Sequence, residues 1–405
     1  MQTRLTVVLL ALAPLATPSV EAEEAPPTVT ACDRLAAGPA DRDKIAEGVA
    51  QSAMDVQAAI LACVGAVIAD PGNPRLQFQL GRAYDAAGEE AKALDWYRKA
   101  AAQDYPAAFT NIGYQYEYGY GVDLDLAEAA NWYRQAADRG DPTGTANLGS
   151  LYEYGKGVPV DLEQAARLYR IAADAGDDLG LHNLGVFYMN GIVVDRDYSE
   201  ARRLFEAAAA LGRGDAMAKL GYIYDEALGV AEDNVKAADY YRAAADLGEG
   251  VAMYNLGLLY EAGEGVAADL AEALSWFRKA AGAGYRDAYN AVGLYYAGGE
   301  VVGEDDAEAA RWYRLGAEAG DPWAMKNLGD ALTGGAGVPV DLAAGFEWTR
   351  RSAEAGLAEG MARLGLLYFE GIGTARDEAL ARRWFTKAAE AGDAAAIRWL
   401  ADHPA

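Results

Sequence analysis

Asp141 to Gly176 reads DPTGTANLGSLYEYGKGVPVDLEQAARLYRIAADAG, and this stretch organises the whole chain. Its Leu-Gly pair belongs to a series in which an apolar residue precedes a glycine, and all but the first step between members is 36 residues. The glycines of this series are Gly81, Gly113, Gly149, Gly185, Gly221, Gly257, Gly293, Gly329 and Gly365. Two other series, from Trp96 and from Gly140, keep the same 36-residue step. Such a period predicts a repeat protein that grows by stacking units.

Each unit carries the signals of two helices, over about residues 2 to 14 and 21 to 35 of the unit. An aspartate seven residues before each member of the Trp96 series, from the second member onward, predicts the N-cap of the second helix. These residues are Asp125, Asp161, Asp197, Asp233, Asp269, Asp305, Asp341 and Asp377. In five units a Glu or Gln three residues later predicts a capping box. Glycines of the Gly140 series end the second helix.

The glycine after the apolar residue lies in the middle of the first helix, where glycine costs about 1 kcal/mol relative to alanine. Something must therefore require the missing side chain. We expect an aromatic residue of the second helix to approach each of these glycines closely. The chain is thus predicted to be an all-α solenoid of helix-turn-helix units.

The predicted organisation has five parts. Residues 1–22 read as a signal peptide, 23–72 as an N-terminal helical cap, 73–104 as a shorter first unit, 105–392 as eight 36-residue units, and 393–405 as a C-terminal capping helix. In the N-terminal cap, the pattern Ala53, Val56, Ile60, Val64, Val67 and Ile68 predicts an amphipathic helix from about 50 to 69.

The first 22 residues have the features of an export signal. Arg4 provides a positive start, the run from Val7 to Ala16 is apolar but too short to span a bilayer, and Ala22 is the expected cleavage position. No later segment approaches 18 uninterrupted apolar residues, so no membrane insertion is expected after cleavage. We predict a periplasmic or secreted protein. An intracellular adaptor is the alternative if this segment is not a signal peptide.

Cys32 and Cys63 are the chain's two cysteines, and both lie outside the repeats. Export to an oxidising compartment favours a disulfide between them. A bridge here would pin the segment around Cys32 onto the following helix and stabilise the cap by about 3–4 kcal/mol. Two reduced thiols remain the alternative.

The pattern A-x-x-N-L-G-x-x-Y-x-x-G-x-G-V-x-x-D resembles the Sel1-like repeat family, seen best in Ala146-Asn147-Leu148-Gly149, Tyr152 and Asp161. The first unit has a turn four residues shorter and is similar to a tetratricopeptide repeat. The resemblance implies a right-handed superhelix and a scaffold or adaptor role. Exported bacterial members of the family include periplasmic regulators of sensor kinases, exopolysaccharide-secretion scaffolds and host-interaction factors.

Charge and residue content argue against several functions. The formal net charge is −26, which repels nucleic acid and anionic lipid surfaces. The chain has two histidines, His182 and His403, and no zinc-type cysteine pair, phosphate-binding loop or HExxH motif. We predict a protein without enzymatic activity, metal or cofactor, and interpret His182 as a partly exposed helix residue.

Binding to a partner is the remaining prediction. Alignment on the Leu-Gly-x-x-Tyr motif places a variable set of first-helix side chains in the concave groove of tetratricopeptide arrays. The predicted partner-binding residues are Tyr114, Glu117, Tyr118, Glu153, Tyr154, Met189, Tyr222, Asp225 and Glu261. Tyrosines beside carboxylates suit a basic peptide or a cationic protein surface. The alternative is polysaccharide binding in an envelope assembly, with Tyr114, Tyr118, Tyr154 and Tyr222 as stacking platforms.

Overall fold

The computed structural model describes residues 28–404. The predicted signal peptide, residues 1–22, lies outside the described residues. The chain forms two compact units, one ending at Leu124 and one beginning at Asp125, and each is described by itself. Within residues 28–404 the regular structure consists of twenty-one α-helices and one 3-10 helix, without β-strands. The prediction of an all-α fold is confirmed.

The N-terminal cap consists of α1 (Ala31–Ala36), a 3-10 turn (Gln51–Ala53) and α2 (Val56–Ala69). A disulfide joins Cys32 to Cys63 and links α1 to α2, which confirms the predicted pair. The helix predicted from about residue 50 begins at Val56, because the Asp55 carboxylate caps it by accepting from the Ala58 N–H. The predicted apolar stripe is wrong at Ile68, which is 74% exposed.

The repeats alternate first and second helices along the chain. The first helices are α3 (Pro74–Ala86), α5 (Pro106–Tyr118), α7 (Pro142–Tyr154), α9 (Asp178–Asn190), α11 (Gly214–Asp225), α13 (Gly250–Ala262), α15 (Arg286–Gly298), α17 (Pro322–Gly334) and α19 (Ala358–Glu370). The second helices are α4 (Glu90–Ala101), α6 (Leu126–Asp138), α8 (Leu162–Asp174), α10 (Tyr198–Ala210), α12 (Asn234–Asp246), α14 (Leu270–Gly282), α16 (Asp306–Glu318), α18 (Leu342–Glu354) and α20 (Glu378–Glu390). The short helix α21 (Ala394–Asp402) follows.

All eight aspartates of the predicted capping series are N-caps. The Asp161 carboxylate, for example, accepts from the Gln164 N–H at 2.8 Å. The five predicted capping boxes are wrong, because on α6, α8, α10, α14 and α16 only the aspartate half of the box forms. The side chains of Gln164 and Glu200 bond instead to arginines three residues further along the same helix. A guanidinium within reach offers the carboxylate or amide oxygen a stronger donor than the exposed N–H of the cap.

Seven mid-helix glycines face an aromatic ring, as predicted, whereas Gly329 faces Thr349: the seven are Gly81, Gly149, Gly185, Gly221, Gly257, Gly293 and Gly365. A methyl group built on Gly149 would lie 2.8 Å from Tyr169 Cε1, and one on Gly185 would lie 2.8 Å from Phe205 Cε1. Contacts of this length are well inside van der Waals separation, so only glycine admits the ring. The ring belongs to the residue that follows each member of the Trp96 series. Close helix approach thus explains a glycine that helix propensity opposes.

Successive repeats are also joined by a polar contact that recurs along the chain. The arginine after the ring residue donates to the hydroxyl of the recurring first-helix tyrosine of the next unit, as in Arg134 to Tyr152 at 3.3 Å. The same bond forms from Arg98 to Tyr116, from Arg170 to Tyr188, from Arg242 to Tyr260 and from Arg278 to Tyr296. This contact explains why the tyrosine and the arginine recur together in the sequence.

Candidate functional site

In the second compact unit, residues 125–404, the first helices carry side chains that vary from repeat to repeat. We name the surface formed by those one, four and five positions after the mid-helix glycine the first-helix face. Tyr154 is 63% exposed at the end of α7, and Tyr222 is 38% exposed on α11. A large aromatic side chain left in solvent is a common feature of binding surfaces, since its ring offers area at little entropic cost. Both residues were predicted from the sequence.

The carboxylates of the first-helix face are held by tyrosine hydroxyls. Tyr169 Oη donates to Glu153 at 2.6 Å, and Tyr241 Oη donates to Asp225 at 3.1 Å. In both cases the donor is the ring that packs on the mid-helix glycine of the same unit. Burial raises the pKa of Asp225, and the bond from Tyr241 opposes that rise. These carboxylates therefore link the two helices of a repeat by hydrogen bonds and also give its surface negative charge.

Glu261 follows a different arrangement. The ring of its own unit is Phe277, which has no hydroxyl, and Glu261 accepts instead from Tyr295 Oη of the next unit at 3.1 Å. The predicted residue Met189 is not on the exposed face. It is 9% exposed and belongs to the hydrophobic core, in a unit whose ring is Phe205. An apolar side chain is suited to a position beside a ring that has no hydroxyl to satisfy.

The first compact unit carries a separate tyrosine cluster, composed of Tyr114, Tyr118 and Tyr120. The Tyr114 and Tyr118 ring centroids are 4.6 Å apart, and Tyr118 stacks on Tyr120 at 5.8 Å. All three rings are exposed. Glu117, also predicted, lies on the same helix as Tyr114 and Tyr118. The sequence prediction missed Tyr120, although an aromatic residue between the two turn glycines Gly119 and Gly121 was a visible signal.

A cavity of about 520 Å³, here named the Asp85 pocket, opens beside this cluster. Its lining residues come from the cap, from α3, α4 and α5, and from the turn after α5: Gln51, Arg82, Asp85, Glu90, Asn111, Tyr114 and Tyr120. Sequence reasoning missed this pocket, because it depends on where the 3-10 turn of the cap meets the first unit.

His182 is the histidine that lies within the repeats. The prediction that His182 is partly exposed is wrong: this residue of α9 is buried, and its Nδ1 lies 3.2 Å from Asp215 Oδ1 of α11. Burial lowers the pKa of His182, and the Asp215 carboxylate opposes that shift. Over residues 28–404 there is no group of three or more His, Cys, Asp or Glu placed to hold a metal ion. In the same range no helix is both long and apolar enough to cross a bilayer.

The model of the Sel1 repeat matches nine consecutive segments of the chain. The matched residues are 75–105, 107–141, 142–177, 179–212, 214–249, 250–285, 286–321, 324–357 and 358–393. The chain belongs to the Sel1 repeat family. The first segment includes the unit that its shorter turn made similar to a tetratricopeptide repeat, so the Sel1 repeat model extends across that unit as well.

Solved structures support the same assignment. A protective antigen of uropathogenic Escherichia coli with an SLR fold is 30% identical over 83% of this chain and 88% of its own, with a TM-score of 0.54. A Sel1 repeat protein from Oxalobacter formigenes is 35% identical over 59% of this chain and 98% of its own, with a TM-score of 0.56. No curated protein matches the chain significantly. Sel1 repeat proteins are typically non-catalytic scaffolds for protein interactions.

Proposed function

We propose that this Sel1 repeat protein is an exported, non-catalytic scaffold that binds a basic peptide or a cationic protein surface. The observation that carries the proposal is the pairing of exposed tyrosines with fixed carboxylates on the first helices, as in Tyr154 beside Glu153. A tyrosine ring attracts a cation through its face, and a neighbouring carboxylate adds a charged hydrogen-bond acceptor. The net charge of −26 would accelerate the encounter with a basic partner.

The disulfide supports the exported location. Disulfides persist in oxidising compartments and are rare in the cytosol. The bridge between Cys32 and Cys63 is fully buried in the cap, where it serves structure. We propose a periplasmic or secreted protein on this basis, acting in an envelope signalling or secretion complex. Sequencing the N-terminus of the purified native protein tests export: a mature start near residue 23 is expected, and an uncleaved chain recovered from the cytosol would contradict it.

The binding test replaces two exposed tyrosines and leaves the acidic residues in the chain. Tyr154→Ala with Tyr222→Ala keeps the partly buried hydrogen bonds that Tyr169 and Tyr241 donate to Glu153 and Asp225. Charge reversal at Glu153, in contrast, would also break its bond with Tyr169. The matched control is Ile171→Ala with Val235→Ala, because both residues are exposed on second helices. Tagged wild-type and variant proteins are used to capture proteins from an envelope extract, and the captured proteins are quantified by mass spectrometry.

We expect a set of basic proteins that the wild type and the control retain at low salt and release at high salt. The tyrosine double variant should retain them about tenfold less, the loss that two aromatic anchors typically bring. Equal capture by all three proteins, at both salt concentrations, would rule out the first-helix face as the binding surface.

Polysaccharide binding is the second candidate, and one observation favours it. Tyr118 and Tyr120 stack with an interplanar angle of 18°, which gives a flat aromatic platform of the kind that sugar rings pack against. Unlike a basic peptide, a neutral saccharide should bind with little dependence on salt. Calorimetric titration with envelope polysaccharide fragments at low and high salt distinguishes the two candidates, and absence of heat at either salt concentration counts against this one.

A further inference from the structure

We propose that the Asp85 pocket is an arginine-binding site, in which the guanidinium group of a partner's arginine side chain bonds to Asp85 and lies against the tyrosine cluster. This inference rests on the proposed function, because the partner must be basic. It adds the chemical group that is recognised and the residue that recognises it. Four features of the pocket support it.

Asp85 lies four residues after its mid-helix glycine, as Glu153 and Asp225 do, but its carboxylate accepts a hydrogen bond from a different donor. Those two acids accept from the ring hydroxyl of their own unit, Tyr169 and Tyr241. Asp85 instead accepts from Gln51 Nε2 of the cap at 3.2 Å. The cap therefore holds this carboxylate at the pocket, and the equivalent ring hydroxyl, that of Tyr97, interacts with Asp85 without the full hydrogen-bond geometry seen for Tyr169 and Tyr241.

Two buried side chains next to Asp85 have unmet hydrogen-bonding capacity. The Tyr97 hydroxyl is fully buried and interacts with Asp85 and Asn111, and the buried Gln115 amide interacts with Asp85, but these contacts fall short of full hydrogen-bond geometry. Buried polar atoms with incomplete hydrogen bonds are costly, so a further polar group at the Asp85 carboxylate would be favoured there. A guanidinium brings five N–H donors, and the oxygens of Asp85, which lines the pocket, are acceptors.

The charges of the pocket favour a cation. Asp85 and Glu90 are its acidic groups and Arg82 its basic one. The Arg82 guanidinium is already committed, since it donates to the carbonyl oxygens of Ala36 at 2.8 Å and of Val49 at 2.9 Å. Burial raises the pKa of Asp85, and a bound cation would offset the cost of ionising it there.

The rim of the pocket distinguishes arginine from lysine. Tyr114 and Tyr120 line the cavity, and their ring centroids lie 5.9 Å apart. A planar guanidinium can stack on a ring while it binds a carboxylate with two parallel hydrogen bonds. The compact ammonium group of lysine cannot do both. The pocket therefore fits arginine better than lysine.

The test is a coupling experiment on the full-length mature chain. The probe is a fluorescent peptide of repeated Gly-Ser-Arg, compared with versions in which citrulline or lysine replaces arginine. Citrulline keeps the shape of arginine and removes its charge. The protein variant is Asp85→Asn, and the matched control is Asp225→Asn, at the same repeat position but bonded to its own tyrosine. Tyr120→Ala is a second variant, because its exposed ring can be removed without disturbing the core. Affinities are measured by fluorescence anisotropy.

For the wild type we expect citrulline to weaken binding about tenfold or more, as the loss of one partner of a desolvated charge pair does. Lysine should bind less tightly than arginine. In the Asp85→Asn protein the citrulline effect should largely disappear, because the two changes remove the same interaction. The Asp225→Asn protein should retain it, and Tyr120→Ala should reduce the preference for arginine over lysine.

Three other outcomes would each contradict a different part of the proposal. If Asp85→Asn and Asp225→Asn both retain the citrulline effect, the pocket assignment is wrong while binding of basic peptides stands. If free acetyl-arginine methylamide binds as tightly as the peptide and competes with it fully, the site takes a small molecule and not a partner's side chain. If the wild type binds no arginine peptide at low salt, the pocket assignment and the basic-partner proposal both fail.

Discussion

Residues 141–176 and 321–356 solve the same packing problem in two ways. Both units begin with Asp-Pro, cap their second helix with aspartate and place a glycine in the middle of the first helix. In the first, Gly149 receives the ring of Tyr169. In the second, the ring position is Thr349, and a methyl group on Gly329 would lie 2.4 Å from Thr349 Oγ1.

The second unit compensates for the missing ring by closer backbone contact. Gly345 stands where the first unit has the buried Ala165, and a methyl group there would lie 2.9 Å from the Gly329 carbonyl oxygen. Thr349 and Thr333 each donate back to a carbonyl oxygen four residues earlier in their own helix, which satisfies their hydroxyls. The repeat thus requires close helix approach and not an aromatic ring. Small residues on both helices meet the same requirement.

The largest difference in stability between these two repeats should come from removing the side chain that packs on the mid-helix glycine, Tyr169 or Thr349. Tyr169→Ala takes a fully buried ring from its glycine and should cost about 3–5 kcal/mol of unfolding free energy, the range for large buried aromatics. Thr349→Ala removes a methyl and a hydroxyl from a contact between backbones and should cost about 1 kcal/mol. Urea denaturation followed by circular dichroism measures both.

Because a solenoid can unfold in parts, amide hydrogen exchange should accompany the denaturation curves. Loss of protection should centre on α7 and α8 for Tyr169→Ala. Equal destabilisation by the two substitutions would mean that the ring and the backbone contact are not alternative solutions.

Adding one methyl group tests the closer contact in the opposite direction. Gly345→Ala places a carbon against the Gly329 carbonyl oxygen and the Thr333 side chain, so α17 and α18 must move apart. The cost should be about 1–3 kcal/mol, although alanine favours the helix itself. Ala165→Gly, the reverse change in the other unit, should cost only about 1 kcal/mol, since it removes a methyl group without forcing movement. Thermal unfolding by calorimetry compares the pair. A stabilised Gly345→Ala protein would show that the contact has room.

Helix bounds and helix caps are the features of these repeats that the sequence predicts best. The bounds of α7 and the cap at Asp161 were predictable, because a first-turn proline, a capping aspartate and a closing glycine each act within one turn of the chain. The disulfide followed from two cysteines and an export signal. Local signals suffice wherever the deciding contact is local.

The candidate site was less accessible. The exposure of Tyr154 and Tyr222 was predicted from the repeat register, whereas the burial of Met189 depends on the neighbouring ring being Phe205. The sequence shows only a partial pairing: Tyr169 and Tyr241 stand with the acids Glu153 and Asp225, but Tyr313 stands with Ala297. The bond from Gln51 to Asp85 had no such signal, since it joins the cap to a repeat 34 residues away.

The hydroxyl of Tyr169 accounts for a smaller part of the difference between the units. Tyr169→Phe keeps the ring on Gly149 and removes the bond to Glu153, which leaves the partly exposed carboxylate to be solvated by water. We expect a loss of about 1.5 kcal/mol, the lower end for hydrogen bonds to charged groups. The fold should survive, because Phe205 and Phe385 occupy the same position in other units. Urea midpoints measure the change, and Glu153→Gln in the same background should add little. A Tyr169→Phe loss as large as that of Tyr169→Ala would place the energy in the hydrogen bond and not in the ring.

The smallest effect should be common to both units, because their second helices begin in the same way. Asp161 accepts from the Gln164 N–H at 2.8 Å, and Asp341 accepts from the Ala344 N–H at 2.9 Å. Each carboxylate satisfies an N–H that the helix leaves unpaired and opposes the positive end of the helix dipole. Asp161→Ala and Asp341→Ala should therefore each cost about 1 kcal/mol. Asp→Asn at either position should cost less, because asparagine also caps.

Matched urea denaturation curves test the pair. Similar losses would locate the difference between the two units in the helix contact alone, whereas clearly unequal losses would show that the closer approach of α17 and α18 also alters the turn before α18.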